Sequence, residues 1–297
     1  MKPTAETLSL ALRTFDPGLD VAGIREYALA VIGMIEAAWD DGAELVLLPE
    51  FTWMGLEPHV LRQVGSATLA EVAQAFETEC LPLLKERLQR QGRAAVLGTV
   101  PSLTPEGGVR NRAWIVRDGA WLFQDKLHLT PWESGFEAGD VLRLWSFGGF
   151  RMAVIICLDI EVPELSTRLR DSGVDLILCP SATETLRGVE RVNRCASARS
   201  VELGCHVAVS HLTGRAESEL IDENIGRAAF YRPSQAAFKT LPFAEETETI
   251  SAGVTRLEVR LEKRPLDLMR RMTAETNPAL LGKELAGIQR RIPVECA

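Results

Sequence analysis

Twice in this chain a glycine closes a polar or amphipathic stretch, and a short apolar run follows that stops at proline. Gly42-Ala-Glu-Leu-Val-Leu-Leu-Pro-Glu50 and Gly173-Val-Asp-Leu-Ile-Leu-Cys-Pro-Ser181 share this plan. Each run is too short for a helix and has no polar alternate, which is how a strand buried on both faces reads. Proline has no N–H for a ladder, so it ends the run. Two related α/β halves sharing a sheet core would produce the echo, although patterns this common also recur by chance.

The rest of the chain fits that frame. Residues 8–13 alternate as a strand, and Ile24, Ala28, Val31, Ile35 and Trp39 recur at helical spacing within residues 21–40. A second amphipathic helical stretch covers residues 67–91, with a break expected near Pro82. Beyond Gly92 the period becomes two. Residues 94–100, 113–116 and 121–125 read as strands, with turns at Gly107-Gly108 and Asp118-Gly119. A polar loop, residues 128–140, leads to strands at 141–146 and 151–156. Then come a short helix opened by Pro163, a strand at 174–179, a helix at 189–203 and a strand at 206–210. Further β signals lie at 227–231 and 254–261. We expect an α/β chain forming one domain over residues 1–297. Its sheet layers are covered by helices, with a core at about 8–262 and a helical tail at 263–297.

Composition narrows the function classes. The chain is 46% hydrophobic and 25% charged, ordinary for a globular protein, and its formal charge is −8. No basic stripe points to nucleic acid and no polybasic run to anionic lipid. The apolar runs are too short to span a bilayer. The opening MKPTAETLSLAL carries too few cations and too short an apolar run for a signal peptide, so a cytoplasmic location is expected. Six cysteines, at 80, 157, 179, 195, 205 and 296, include no C-x-x-C pair, so a structural zinc is not expected. No other metal or cofactor is expected either. In a reducing compartment they are free thiols.

Glu50, Lys126 and Cys157 each stand at the carboxyl end of an expected strand, where open α/β architectures gather ligands. Together they make coherent chemistry. A thiol needs a base to become a nucleophile, an ammonium can support a developing oxyanion, and a carboxylate can take and return the proton. Taken singly, each has an ordinary reading: a core thiol, a turn carboxylate, a solvated lysine.

The local sequences around the three resemble the nitrilase superfamily of carbon–nitrogen hydrolases. Gly42-Ala-Glu-Leu-Val-Leu-Leu-Pro-Glu50 is similar to that family's base motif. Lys126-Leu-His-Leu-Thr-Pro-Trp-Glu133 is similar to its lysine motif, and Ile156-Cys157-Leu-Asp-Ile-Glu-Val-Pro-Glu164-Leu to its nucleophile elbow. The resemblance implies a four-layer αββα sandwich, usually a homodimer or larger homo-oligomer, with a metal-free site. It also implies Glu50 as general base, Lys126 beside the oxyanion, Cys157 as nucleophile and the Leu158 N–H as second oxyanion donor. The family's further glutamate falls on Glu133, with Glu137 in the same loop as the alternative.

The implied reaction is hydrolysis of a small-molecule amide through a cysteine thioester. An N-acyltransferase using the same thioester is the alternative, and a non-catalytic scaffold that inherited the fold is a third reading. Leu158-Asp159 replaces the Trp-Glu usual after a nitrilase cysteine, so nitrile hydrolysis is the less favoured reaction. Residues 157–165, 191–199 and 229–234 resemble the branch often fused to an N-acetyltransferase domain. Trp53, Trp132, Glu184, Arg187 and Arg191 are candidates for the substrate pocket, each with a packing or surface-pair alternative. For His128 a structural hydrogen bond is expected, and for Cys179 a place in the core.

Overall fold

The computed structural model describes residues 6–170, 172–218 and 220–271. It begins with β1 (Thr7–Arg13), α1 (Ile24–Asp40) and β2 (Leu45–Leu48). Helix α1 buries Ile24, Ala28, Val31, Ile35 and Trp39 along one stripe, as their spacing requires. A 3₁₀ turn at Thr52–Leu56 and α2 (Glu57–Val64) follow the first proline-ended strand, where no element was expected. Helices α3 (Leu69–Ala75) and α4 (Leu81–Arg87) are joined by a π turn at Phe76–Cys80. The break expected near Pro82 is therefore absent. Pro82 sits in the first turn of α4, where a missing N–H is tolerated, and the π turn re-phases the helix before it.

The hairpin strands are β3 (Ala94–Leu103), β4 (Val109–Arg117) and β5 (Ala120–Asp125). Next come β6 (Leu144–Phe147), β7 (Phe150–Val154), α5 (Pro163–Leu169), β8 (Leu176–Ser181), α6 (Leu186–Leu203) and β9 (His206–His211). The short pair β10 (Gly214–Arg215) and β11 (Glu223–Asn224) precedes β12 (Ala228–Tyr231) and β13 (Ala244–Glu246). Strand β14 (Arg256–Glu262) and helix α7 (Lys263–Arg271) complete the described chain. Of the expected helical tail, only α7 falls within the described residues. Strand β8 runs through Pro180 to Ser181, beyond its expected end. Past Leu178 only β9 pairs with it, so one side of the strand needs no donor there.

Two six-stranded sheets result, in the orders β14-β1-β2-β3-β4-β5 and β13-β12-β9-β8-β7-β6. Each is built round a parallel triplet, β1-β2-β3 in one and β7-β8-β9 in the other, with antiparallel flanks. The proline-ended strands β2 and β8 are the middle members. The sequence echo is thus a repeated α/β plan, with the βαβ connections the parallel strands need.

Period two sorts the side chains into layers. Leu45 and Leu47 of β2 join a core with the facing strands β7–β9, while Val46 and Leu48 pack towards α1, α3 and α4. Helices α5 and α6 cover the second sheet through Leu165, Leu169, Val192 and Ala196. The architecture is the expected αββα sandwich. Asp175, just before β8, receives Lys263 Nζ at 2.8 Å and Arg270 at 2.6 Å, which ties α7 to the second sheet.

Candidate active site

Four strand ends meet at one edge of the sandwich. Pro49 and Glu50 follow β2, Lys126 follows β5, Cys157 lies three residues past β7, and Ala182 follows β8. Phe51 holds φ +58° and donates its N–H to Thr99 Oγ1 at 2.8 Å, which turns the Glu50 carboxyl back over β3. Gly98 of β3 lies at the close approach: a Cβ there would collide with the Pro49 carbonyl and the Thr52 side chain. Cys157 holds φ +47° at the start of a 3₁₀ turn, Cys157–Glu161. A non-glycine residue in this region stores backbone strain of roughly 1–2 kcal/mol, which sharpens the corner that presents the sulfur.

The buried charges form one connected set. Lys126 Nζ donates to Glu50 Oε1 at 2.8 Å and to Glu133 Oε2 at 2.7 Å, and all three side chains are 1–2% exposed. Asn111 Nδ2 bridges the carboxylates, lying 2.9 Å from Glu50 Oε1 and 2.9 Å from Glu133 Oε1. The Ala182 N–H donates to Glu50 Oε2 at 3.1 Å, while the Ala182 carbonyl lies 3.5 Å from Cys157 Sγ. Thr130 gives both its N–H and its hydroxyl to Glu133. Every oxygen of Glu50 and Glu133 is therefore partnered, as a buried carboxylate needs.

This setting tunes the acids and bases. Burial pushes Glu50 up to about 6, against the pull of Lys126; Glu133 adds to the rise. Burial would lower Lys126, but Glu50, Cys157 and Glu133 override it and hold the ammonium charged. Burial, and then Glu50, raise the Cys157 thiol well above its ordinary value, with Lys126 opposing. The two ends of the Ala182 peptide therefore link Cys157 and Glu50, which lie close enough to raise the Cys157 thiol. At neutral pH the resting set is a thiol beside a carboxylate that titrates near neutrality, the range in which proton exchange is efficient. Among the described residues no cluster of three or more His, Cys, Asp or Glu is placed to hold a metal ion.

The carbon-nitrogen hydrolase family profile matches residues 11–263. The chain belongs to the carbon-nitrogen hydrolase family. It is 27% identical over 261 residues to the probable hydrolase YhcX of Bacillus subtilis, covering 85% of this chain and 50% of YhcX. It is 31% identical over 137 residues to an (R)-stereoselective amidase of a Pseudomonas species, covering 46% of this chain and 47% of the amidase. The chain thus spans about half the length of these two curated relatives. The deaminated glutathione amidase of Synechocystis is 30% identical over 202 residues, covering 61% of this chain and 70% of that enzyme. The fold is shared with yeast Nit3, a member of the nitrilase superfamily. Their TM-score is 0.68 at 17% identity, covering 96% of this chain and 97% of Nit3.

Around the buried set, this member of the carbon-nitrogen hydrolase family has an open cleft of about 280 Å³. Trp132, Glu184 and Arg191 line it with Cys157 and Leu158. Two expected pocket residues do not. Trp53 is 1% exposed, stacks edge-on against Phe76 at 4.9 Å and donates its Nε1–H to Leu97 O at 2.8 Å, so it is core. Arg187 is exposed at the start of α6 and absent from the lining, whereas Arg191 takes the cleft position. Of the two loop glutamates, Glu133 reaches Lys126, and Glu137 lies exposed against the Gly108 turn. His128 makes the expected structural bond, Nδ1 to Asp159 Oδ1 at 2.9 Å, and Cys179 is fully buried.

Sequence reasoning missed Asn111 and the Ala182 peptide. The signal for Asn111 was parity: Val109, Asn111 and Ala113 face inward while Arg110 and Arg112 do not. Asparagine is depleted in strands, and the strand was expected to start only at residue 113. No side chain could have signalled the Ala182 peptide, because its contribution is backbone alone.

Proposed function

We propose that the chain hydrolyses the amide bond of a small molecule through a thioester on Cys157. The observation that carries this reading is Cys157 in one cleft with a buried Glu50 that is itself paired with Lys126, the Ala182 peptide contacting both. Glu50 takes the thiol proton as sulfur bonds to the amide carbon and the carbonyl electrons move to oxygen. Lys126 and the Leu158 N–H, in the first turn after Cys157, support that oxyanion. The oxyanion then collapses, the C–N bond breaks, and Glu50 returns the proton to the departing ammonia or amine. Water attacks the thioester, Glu50 takes its proton, and the acid leaves as the thiol is restored. Glu133 holds Lys126 in place throughout. The amidase names among the relatives favour an amide over a nitrile.

Acyl transfer to an amine is the second reading, because the same thioester accepts any nucleophile the cleft admits. The resemblance of residues 157–165, 191–199 and 229–234 to the branch often fused to an N-acetyltransferase domain is a proposal of lineage. We further propose a single domain over residues 1–297 that assembles as a homodimer or larger homo-oligomer in the cytoplasm. There a reducing milieu would keep the five free cysteines among the described residues as thiols. No helix among the described residues is long and apolar enough to cross a membrane.

The test is a set of small amides assayed for ammonia release, with hydroxylamine added to intercept the acyl group. A hydroxamate formed at the expense of acid supports the thioester; ammonia release that never yields hydroxamate at any hydroxylamine concentration argues against it. The pH profile is a second test. A protonated Glu50 cannot accept the thiol proton, so kcat/KM should fall about tenfold per pH unit below about 6. An acid limb placed at the ordinary carboxylate value near 4.5 would remove Glu50 from the role of base.

A further inference from the structure

Six charged side chains line the cleft, and their signs do not balance. Four carboxylates, Glu50, Glu133, Glu161 and Glu184, face two cations, Lys126 and Arg191. Both cations are committed. Lys126 sits between Glu50 and Glu133, and Arg191 Nε lies 3.2 Å from Glu161 Oε2. Glu184, exposed just before α6, makes no hydrogen bond or ion pair among the described residues. A cleft of one sign walled by low-dielectric protein concentrates ligands of the opposite charge.

Two further features point to a ligand. Trp132 is 79% exposed on the cleft, and no cation stacks on its ring among the described residues. Tryptophan is the strongest of the aromatic faces for binding a cation. Asn224 lines the same cleft, is only 4% exposed, and has no partner for Nδ2. An enclosed donor of this kind is costly to leave unpaired, and a ligand oxygen can satisfy it.

We propose that the cleft selects amides whose second functional group is an ammonium or guanidinium, held by Glu184 and the face of Trp132. This rests on the amide-hydrolysis reading and names its substrate class. The Asn224 amide donates to a neutral oxygen of the same molecule. An anionic amide, such as the monoamide of a dicarboxylic acid, would meet Glu184 and find no uncommitted cation in the lining.

Three amides of equal chain length separate the possibilities: δ-aminovaleramide, valeramide and glutaric acid monoamide. The expected order of kcat/KM is cationic, neutral, anionic, with roughly tenfold between steps at low salt. The spread should narrow as salt screens the field. Glu184→Gln should collapse the cationic-to-neutral ratio towards one, Glu184→Asp should keep part of it, and Glu184→Lys should invert the order. Glu106→Gln, which removes the same charge from an exposed turn, should leave the ratio unchanged. A ratio untouched by Glu184→Gln, or a preference for the anionic amide, overturns the proposal.

Labelling of Cys157 by methanethiosulfonates reads the same selectivity without turnover. Its sulfur forms a mixed disulfide and releases methanesulfinate, and intact mass follows the product. Rates with aminoethyl, methyl and sulfonatoethyl reagents are compared with those for glutathione, using a Cys157→Ala chain for background. The cationic preference should exceed that of glutathione and fall in Glu184→Gln. Such selective labelling with no amide turned over would sink the amidase reading and leave the charge selection standing. Amide turnover with no charge preference in either assay would overturn the charge selection alone.

Discussion

Cys157→Ala is expected to abolish amide turnover, by about 10⁴-fold or more, the scale on which loss of a catalytic nucleophile acts. Cys157 is the one cysteine lining the cleft among the described residues. Cys179 is fully buried, burial pushes its thiol up to about 12, and its Sγ is engaged with Ser181 Oγ at 3.4 Å. The fold should survive the change. The sulfur's hydrogen bond to the Ala182 carbonyl is long and weak at 3.5 Å, and alanine retains the Cβ at the same backbone corner. Unfolding free energy should therefore stay within about 1 kcal/mol of the parent, the ordinary range for a small truncation. Steady-state ammonia release and urea unfolding, measured on the same preparation, read both quantities. A variant that unfolds like the parent and still turns over amide would remove Cys157 from the chemistry.

Lys126→Met is expected to act on stability as strongly as on activity. Methionine fills much of the lysine volume, but it leaves Glu50 and Glu133, each 1–2% exposed, facing one another across the Asn111 amide. Removing one partner from a buried ion set typically costs about 3–5 kcal/mol, because a charge is left uncompensated. Two carboxylates this close cannot both stay ionised, so the variant should also take up a proton near neutral pH. Adding Glu133→Gln removes one of the two charges and should restore a substantial part of the lost stability without restoring turnover. Urea midpoints of the single and double variants decide the matter. If Lys126→Met unfolds within about 1 kcal/mol of the parent, the set does not carry the charges assigned to it.

Much of this protein was legible in its sequence for identifiable reasons. The strand ends that carry Glu50 and Cys157 were visible because local chemistry sets them: apolar runs stopped by proline or by a turn. The repeated plan showed as an echo because both triplets need a fully buried middle strand, β2 in one sheet and β8 in the other. The π turn before Pro82 was not legible, because it depends on which face of α3 and α4 must pack against the first sheet. Asn111 went unread because its strand looked shorter than it is.

Sequence alone determined most of the elements and their order, the residue types available for chemistry and the family. Tertiary structure decided which of those residues meet. It sent Trp53 into the core and left Trp132 in the cleft, chose Glu133 over Glu137 beside Lys126, and placed Arg191 rather than Arg187 on the cleft wall. It also brought Ala182 of the second sheet within reach of Glu50 of the first. Backbone periodicity acts over a few neighbouring residues and can be read along the chain. A contact such as that between Ala182 and Glu50, 132 positions apart, exists only once two sheets have packed face to face.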